Sequence, residues 1–171
     1  MKHKSIILII VIAVAAAAIF LTPGEKSYKT IMAVGTPAPA FELRDSTGKL
    51  WKLSELKGKA VFINFWATWC TTCKAEAPQK TTLFNAMQGK PFQMLGVLYK
   101  DGPENLPSYY KKYNVMNPTL IDPDNAMAKL YGITGVPETF ILDKEGILRE
   151  RLIGPQEWSS PEKMALIEKW L

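Results

Sequence analysis

Ala60-Val61-Phe62-Ile63-Asn64-Phe65-Trp66-Ala67-Thr68-Trp69-Cys70-Thr71-Thr72-Cys73-Lys74-Ala75-Glu76 decides the fold. Its first seven residues are β-rich and apolar but for Asn64, the signature of a strand buried on both faces. A short turn follows, and then a helical stretch from about Cys73 to Met87, in which Pro78 predicts a kink. Outward toward the C-terminus, Phe92–Tyr99 forms a second buried strand, and Glu104–Tyr113 a helix whose start Pro107 interrupts. Pro118–Ile121 is a short strand, and Asp124–Tyr131 a short helix that stops at Gly132. Glu138–Leu142 and Ile147–Ile153 are strands joined by the turn Asp143-Lys144-Glu145-Gly146, and Pro161 opens a closing helix over 162–171. Outward toward the N-terminus, Phe41–Leu43 and Leu50–Leu53 flank Asp45-Ser46-Thr47-Gly48 as a hairpin. Pro37 and Pro39 keep 35–41 extended. Strands alternating with helices and ending in an antiparallel hairpin imply an α/β fold with a central mixed sheet.

Ile6–Leu21 is a run of sixteen apolar residues behind Lys2, His3 and Lys4. This is the layout of a signal anchor or of a cleaved secretory signal. At 1.5 Å per residue it reaches roughly 24 Å, a little short of the hydrocarbon core of a bilayer. No clear cleavage site precedes Thr22-Pro23-Gly24, which favours an uncleaved anchor. The basic start holds that end in the cytoplasm and sends the remainder across the membrane. The expected organisation is therefore an anchor over 1–21, a linker over 22–34 and one α/β domain over 35–171. Location is expected in the cytoplasmic (inner) membrane as a single pass, with the C-terminal domain in the periplasm or extracytoplasmic space. The net charge of +5 is modest, and basic residues alternate with acidic ones, so nucleic-acid binding has little support.

Cys70 and Cys73 are the only cysteines in the chain. A bond between residues so close closes almost no loop, so its entropic contribution lies at the bottom of the usual range. Such a bond serves chemistry better than stability. The strand–turn–helix pattern puts Cys70 at a helix N-terminus and Cys73 one turn inside, on the same face. Backbone N–H groups and the helix dipole then favour a thiolate at Cys70, which makes it the nucleophile and Cys73 the resolving thiol. A zinc site lacks ligands, because the single histidine is His3. A purely structural disulfide and a Cu(I)-holding thiol pair remain as alternatives. No other metal, haem or flavin site is visible, so the redox-active pair is the only expected prosthetic device.

The order βαβ then ββα is the thioredoxin core, with the first hairpin and the helix over 104–113 as additions. The segment from Phe65 to Glu76 resembles the active-site region of the TlpA/ResA/CcmG (DsbE) family of membrane-tethered thioredoxin-like proteins. Gly135-Val136-Pro137-Glu138-Thr139-Phe140 is similar to the same family's second motif, and the similarity covers roughly residues 34–171. The resemblance implies that Pro137 is a cis proline beside the cysteines, leaving the Val136 backbone to pair with an extended substrate. It implies an acid, Glu76, close to the cysteines and able to relay the Cys73 proton, as against a surface glutamate. It also suggests a substrate-facing Glu138 and a Trp69 that shields the disulfide. Two positions depart from the pattern. Asn64 stands where many thioredoxins have a buried aspartate, and Thr71-Thr72 lacks the proline common between the cysteines.

Together these imply a thiol–disulfide oxidoreductase that reduces disulfides in exported proteins. The family suggests apocytochrome c as substrate, in cytochrome c maturation, and a membrane thiol transporter of the DsbD or CcdA type as electron source. A disulfide oxidase or isomerase, and a non-catalytic copper or haem-pathway binding module, are the competing expectations.

Overall fold

The computed structural model describes residues 32–171. The expected membrane segment over 1–21, and nearly all of the linker, lie outside them. No helix among the described residues is long and apolar enough to cross a membrane.

The first hairpin pairs β1 (Glu42–Arg44) with β2 (Leu50–Lys52) antiparallel. Five strands then form the main sheet in the order β5-β4-β3-β6-β7. They are β3 (Ala60–Trp66), β4 (Phe92–Leu98), β5 (Thr119–Ile121), β6 (Glu138–Leu142) and β7 (Leu148–Ile153). β4 runs parallel to β3 and to β5, whereas β6 is antiparallel to β3 and to β7. The sheet is thus mixed, in a thioredoxin-like arrangement, as the element order implied. Among the described residues four α-helices accompany it: α1 (Thr71–Ala86), α2 (Leu106–Tyr113), α3 (Ala126–Leu130) and α4 (Pro161–Glu168).

β3 is central and buried along its whole length, which is why its sequence does not alternate. Its Phe62, with Met94 and Ile141, meets Leu83 of α1, Met87 at the C-cap of that helix, Ile167 of α4 and the loop residue Trp158. The opposite face carries Val61, Ile63, Phe65, Phe140 and Leu142, covered by Met127, Ala128 and Tyr131 and by Trp51 behind the hairpin. α2 closes a third cluster in which Leu106 and Tyr109 pack with Trp66, Leu98 and both cysteines.

Local chemistry places the ends. Ser160 accepts from Lys163 N–H at 3.3 Å and Pro161 occupies the first turn, a standard start for α4. Pro78 lies inside α1 without ending it. At the N-terminal side of the domain, Gly35 N–H donates to Leu148 O and Ala38 N–H to Gly146 O, so the extended proline segment lies along the turn into β7.

Candidate active site

The cysteines sit where β3 hands over to α1. Cys70 is the N-cap residue, in extended conformation, and Cys73 N–H donates to its Sγ at 3.1 Å. Cys70 and Cys73 are joined as a disulfide. Cys73 is fully buried and Cys70 is 5% exposed, so what little of the bond solvent reaches belongs to Cys70. Thr72 Oγ1 lies 3.4 Å from Cys70 Sγ, so the dipeptide between the cysteines brings a hydroxyl to the sulfur.

Val136–Pro137 is a cis peptide, as the resemblance implied, and the Val136 carbonyl oxygen lies 3.7 Å from Cys70 Sγ. Val136 makes no backbone–backbone hydrogen bond among the described residues. Trp69 is more than half exposed, and its indole N–H donates to Lys100 O at 3.1 Å. Its ring is therefore exposed next in sequence to Cys70 and is anchored to the turn that leaves β4.

Glu76 and Glu138 both prove buried, with opposite implications. Glu76 is 2% exposed. Its Oε1 accepts from Gln156 N–H at 2.6 Å and from Trp158 Nε1–H at 3.0 Å. Burial pushes its carboxyl above the ordinary range, against the opposing pull of Lys80 and these two donors. This burial excludes the surface alternative, and the contacts of the carboxylate are with Gln156 and Trp158. The expectation of a substrate-facing Glu138 needs correction. Its carboxylate accepts from Arg151 Nε at 2.6 Å and is 2% exposed, because strand alternation puts it on the core face with Phe140 and Leu142.

Asn64 lies beneath the site on β3. Its Nδ2 donates to Thr139 Oγ1 at 2.9 Å across the β3–β6 pair, and its Oδ1 accepts from Lys80 Nζ at 2.7 Å. Sequence reasoning missed Lys80, which is 8% exposed. The signal was available, for Cys73, Glu76, Ala77, Lys80 and Leu83 recur at the spacing of one helix face, and all are buried.

Asp101 was also missed. Its Oδ2 accepts from Thr68 N–H at 2.6 Å, and its Oδ1 from Gly102 N–H and Asn105 Nδ2, each at 2.8 Å. Burial pushes this carboxyl up, but the donors outweigh it and hold the pKa below the usual aspartate value. Asp101→Ala should cost about 2 kcal/mol in chemical unfolding, because it strands the Thr68 N–H and removes charge-assisted bonds. A folded pKa below the unfolded one means that this contribution is present above the unfolded value of 3.8 and lost as pH falls through the folded value. The gap between wild type and Asp101→Ala should therefore close below about pH 4. A gap that persists undiminished at pH 2 would count against this account.

The AhpC/TSA family model matches residues 34–151. The thiol-disulfide oxidoreductase ResA of Geobacillus thermodenitrificans is 33% identical over 126 residues, 74% of this chain and 72% of that protein. ResA of Bacillus cereus is 31% identical over 150 residues, 88% of this chain and 87% of its own length. Among solved structures, a thiol:disulfide interchange protein of the thioredoxin family from Chlorobium tepidum TLS superposes with a TM-score of 0.70 at 26% identity. It covers 81% of this chain and 97% of that one.

Proposed function

The chain belongs to the AhpC/TSA family and is a thiol–disulfide oxidoreductase of the TlpA/ResA/CcmG type, and from that premise we propose that it is a membrane-held, extracytoplasmic reductant of protein disulfides. The observation that carries the reading is the Cys70–Cys73 pair at the N-terminus of α1, beside an unpaired Val136 backbone. The apolar run Ile6–Leu21 behind Lys2 and Lys4 supports a location across the cytoplasmic membrane.

In the proposed cycle the Cys70 thiolate attacks one sulfur of the substrate disulfide. That S–S bond breaks, and the second substrate sulfur leaves with the electron pair and takes up a proton. Cys73 then loses its proton and attacks Cys70 Sγ, which breaks the mixed disulfide and frees the first substrate thiol. The protein ends as the disulfide described above, oxidised by two electrons, and the substrate ends as two thiols. Cys73 N–H and the Thr72 hydroxyl both lie close enough to stabilise negative charge on Cys70 Sγ. The Val136 backbone would pair with an extended substrate chain, and the Trp69 indole would cover its far side.

The family resemblance points to apocytochrome c, whose haem-attachment cysteines must be reduced, and to a DsbD- or CcdA-type membrane protein as the electron donor. The reading is tested by the reduction potential together with trapping in cells. A potential near the reducing end of the range, about −270 mV, is expected; one near −120 mV would indicate an oxidant instead. A Cys73→Ala variant should hold exported cytochrome precursors on Cys70. Capture of other exported proteins alone would remove the cytochrome assignment.

A further inference from the structure

The buried face of α1 carries two ionisable side chains whose charge the cycle above leaves unexplained. Burying a lysine is costly unless its charge is compensated. Lys80 Nζ is held by Asn64 Oδ1 at 2.7 Å and stands 3.9 Å from Glu76 Oε2. That oxygen has no hydrogen-bond donor among the described residues, so the ammonium acts on it through space. The cavity bordering Lys80, Asn64, Trp66, Ala77 and Tyr109 measures about 10 Å³, room for about one water. The pair is thus poorly screened, and one charge has a strong effect on the other.

The surroundings contain little else that titrates. On α1 itself Lys80 meets Glu76. From α2 comes Tyr109, whose hydroxyl donates to Cys73 O at 3.3 Å and whose pKa is raised by burial, with Tyr113 stacked on its ring. β3 contributes the neutral Asn64 and Trp66, and the segment after β7 contributes the Gln156 N–H and the Trp158 indole N–H on the other carboxylate oxygen. Lys80 is therefore the cation available to Glu76 in this cluster. Burial lowers its own pKa to about 8, which still leaves it mostly charged at neutral pH.

We propose that Lys80 is a positioning residue for disulfide exchange: its ammonium, fixed by the Asn64 carboxamide, keeps the buried Glu76 carboxylate ionised and so able to take the proton that Cys73 must lose. The inference rests on the reading of Cys73 as the resolving thiol. In the mixed disulfide the Cys73 proton passes to Glu76, and the sulfur pair forms the bond to Cys70 Sγ. The Cys70–substrate bond breaks with its electrons on the substrate sulfur, which is protonated as it departs. Without the ammonium, the pull that opposes burial is lost, so the protonated carboxyl is favoured and Glu76 becomes a poorer acceptor. Asn64 fits this scheme as a neutral bracket: an aspartate there would compete with Glu76 for the same cation.

The test uses Lys80→Gln, Lys80→Met and Lys80→Arg, each alone and with Glu76→Gln. Glu76 ionisation is followed by infrared difference spectroscopy on the oxidised protein, where no thiol titrates. The resolving step is followed as the rate plateau at saturating peptide disulfide. In Lys80→Gln and Lys80→Met, the Glu76 titration and the acid limb of the plateau should both rise by about one pH unit or more. Lys80→Arg should stay near wild type, and the Lys80 changes should leave the pH profile unmoved in the Glu76→Gln background. An unshifted Glu76 titration in Lys80→Gln overturns the proposal. So does a neutral Glu76 in the wild type at pH 7, whatever the variants do. The infrared result does not depend on which way electrons flow, so an oxidising potential would sink the reductant reading and leave this one standing.

Discussion

Cys70→Ala is expected to lower disulfide-exchange turnover by roughly a thousandfold or more, since no other thiolate is placed to attack. Cys73→Ala should fail differently. Its Cys70 can still attack a substrate once, so a stoichiometric burst of one substrate thiol should appear and then stop at the mixed disulfide. Mass spectrometry of the stalled protein would show the adduct at Cys70. The asymmetry follows from the fold, for Cys70 is the partly reachable sulfur and Cys73 lies sealed under Tyr109 and Ala77. If Cys70→Ala forms the adduct and Cys73→Ala does not, the roles of the two thiols are reversed.

Substitution at Gly96 should have the second-largest effect, and on stability rather than chemistry. Gly96 pairs with Asn64 in the β3–β4 ladder, and a Cβ added there would fall 2.6 Å from Trp66 Nε1 and 3.0 Å from Thr119 Oγ1. The missing side chain lets the Trp66 indole lie across β4 and pack on Tyr109, with ring centroids 4.6 Å apart. Gly96→Ala should cost about 1–3 kcal/mol through overpacking, and Gly96→Val more, because strands and rings on both sides must shift. Denaturant unfolding measures the loss. Trp66 also packs in the cysteine cluster, so the fluorescence change between oxidised and reduced protein should alter in Gly96→Ala. A variant as stable as wild type would mean that the indole moves aside freely.

The strands were legible wherever burial was two-sided or a turn was chemically marked. Ala60–Trp66 is such a case, and Asp45-Ser46-Thr47-Gly48 is another, its Asp45 side chain accepting from Thr47 N–H and Lys49 N–H. The cysteine pair and its position at a helix start were equally plain. What escaped depends on contacts between distant residues. Thr68 and Asp101 are 33 residues apart, and Glu76 and Trp158 are 82 apart. Trp158 sits in a loop after Pro155, where no periodicity marks it as core, yet it is fully buried against Phe62. Lys80 was overlooked for a different reason: a helical lysine is ordinarily solvated, and only its register with Cys73 reveals otherwise. Glu138 was misjudged although its strand held the answer. It alternates with Thr139, so it shares a face with Phe140 and reaches Arg151 diagonally across the β6–β7 pair.

The hairpin and the extended proline segment also bear on how copies of this chain behave when crowded together. A five-stranded open sheet has two edges, and a bare edge invites another chain to add a strand. Here Asp45 bridges to Leu120 and Ser46 N–H donates to Thr119 O, so the hairpin occupies the β5 edge. Pro37 bridges to Ile147, and Thr36 O accepts from Leu148 N–H, so the proline segment covers the start of β7. The stretch of β7 beyond carries Arg149, Glu150 and Arg151 in succession, charges that a docking strand would have to desolvate. The hairpin and the proline segment thus act as guards against edge-to-edge aggregation, which matters most wherever copies of the chain are held at high local concentration.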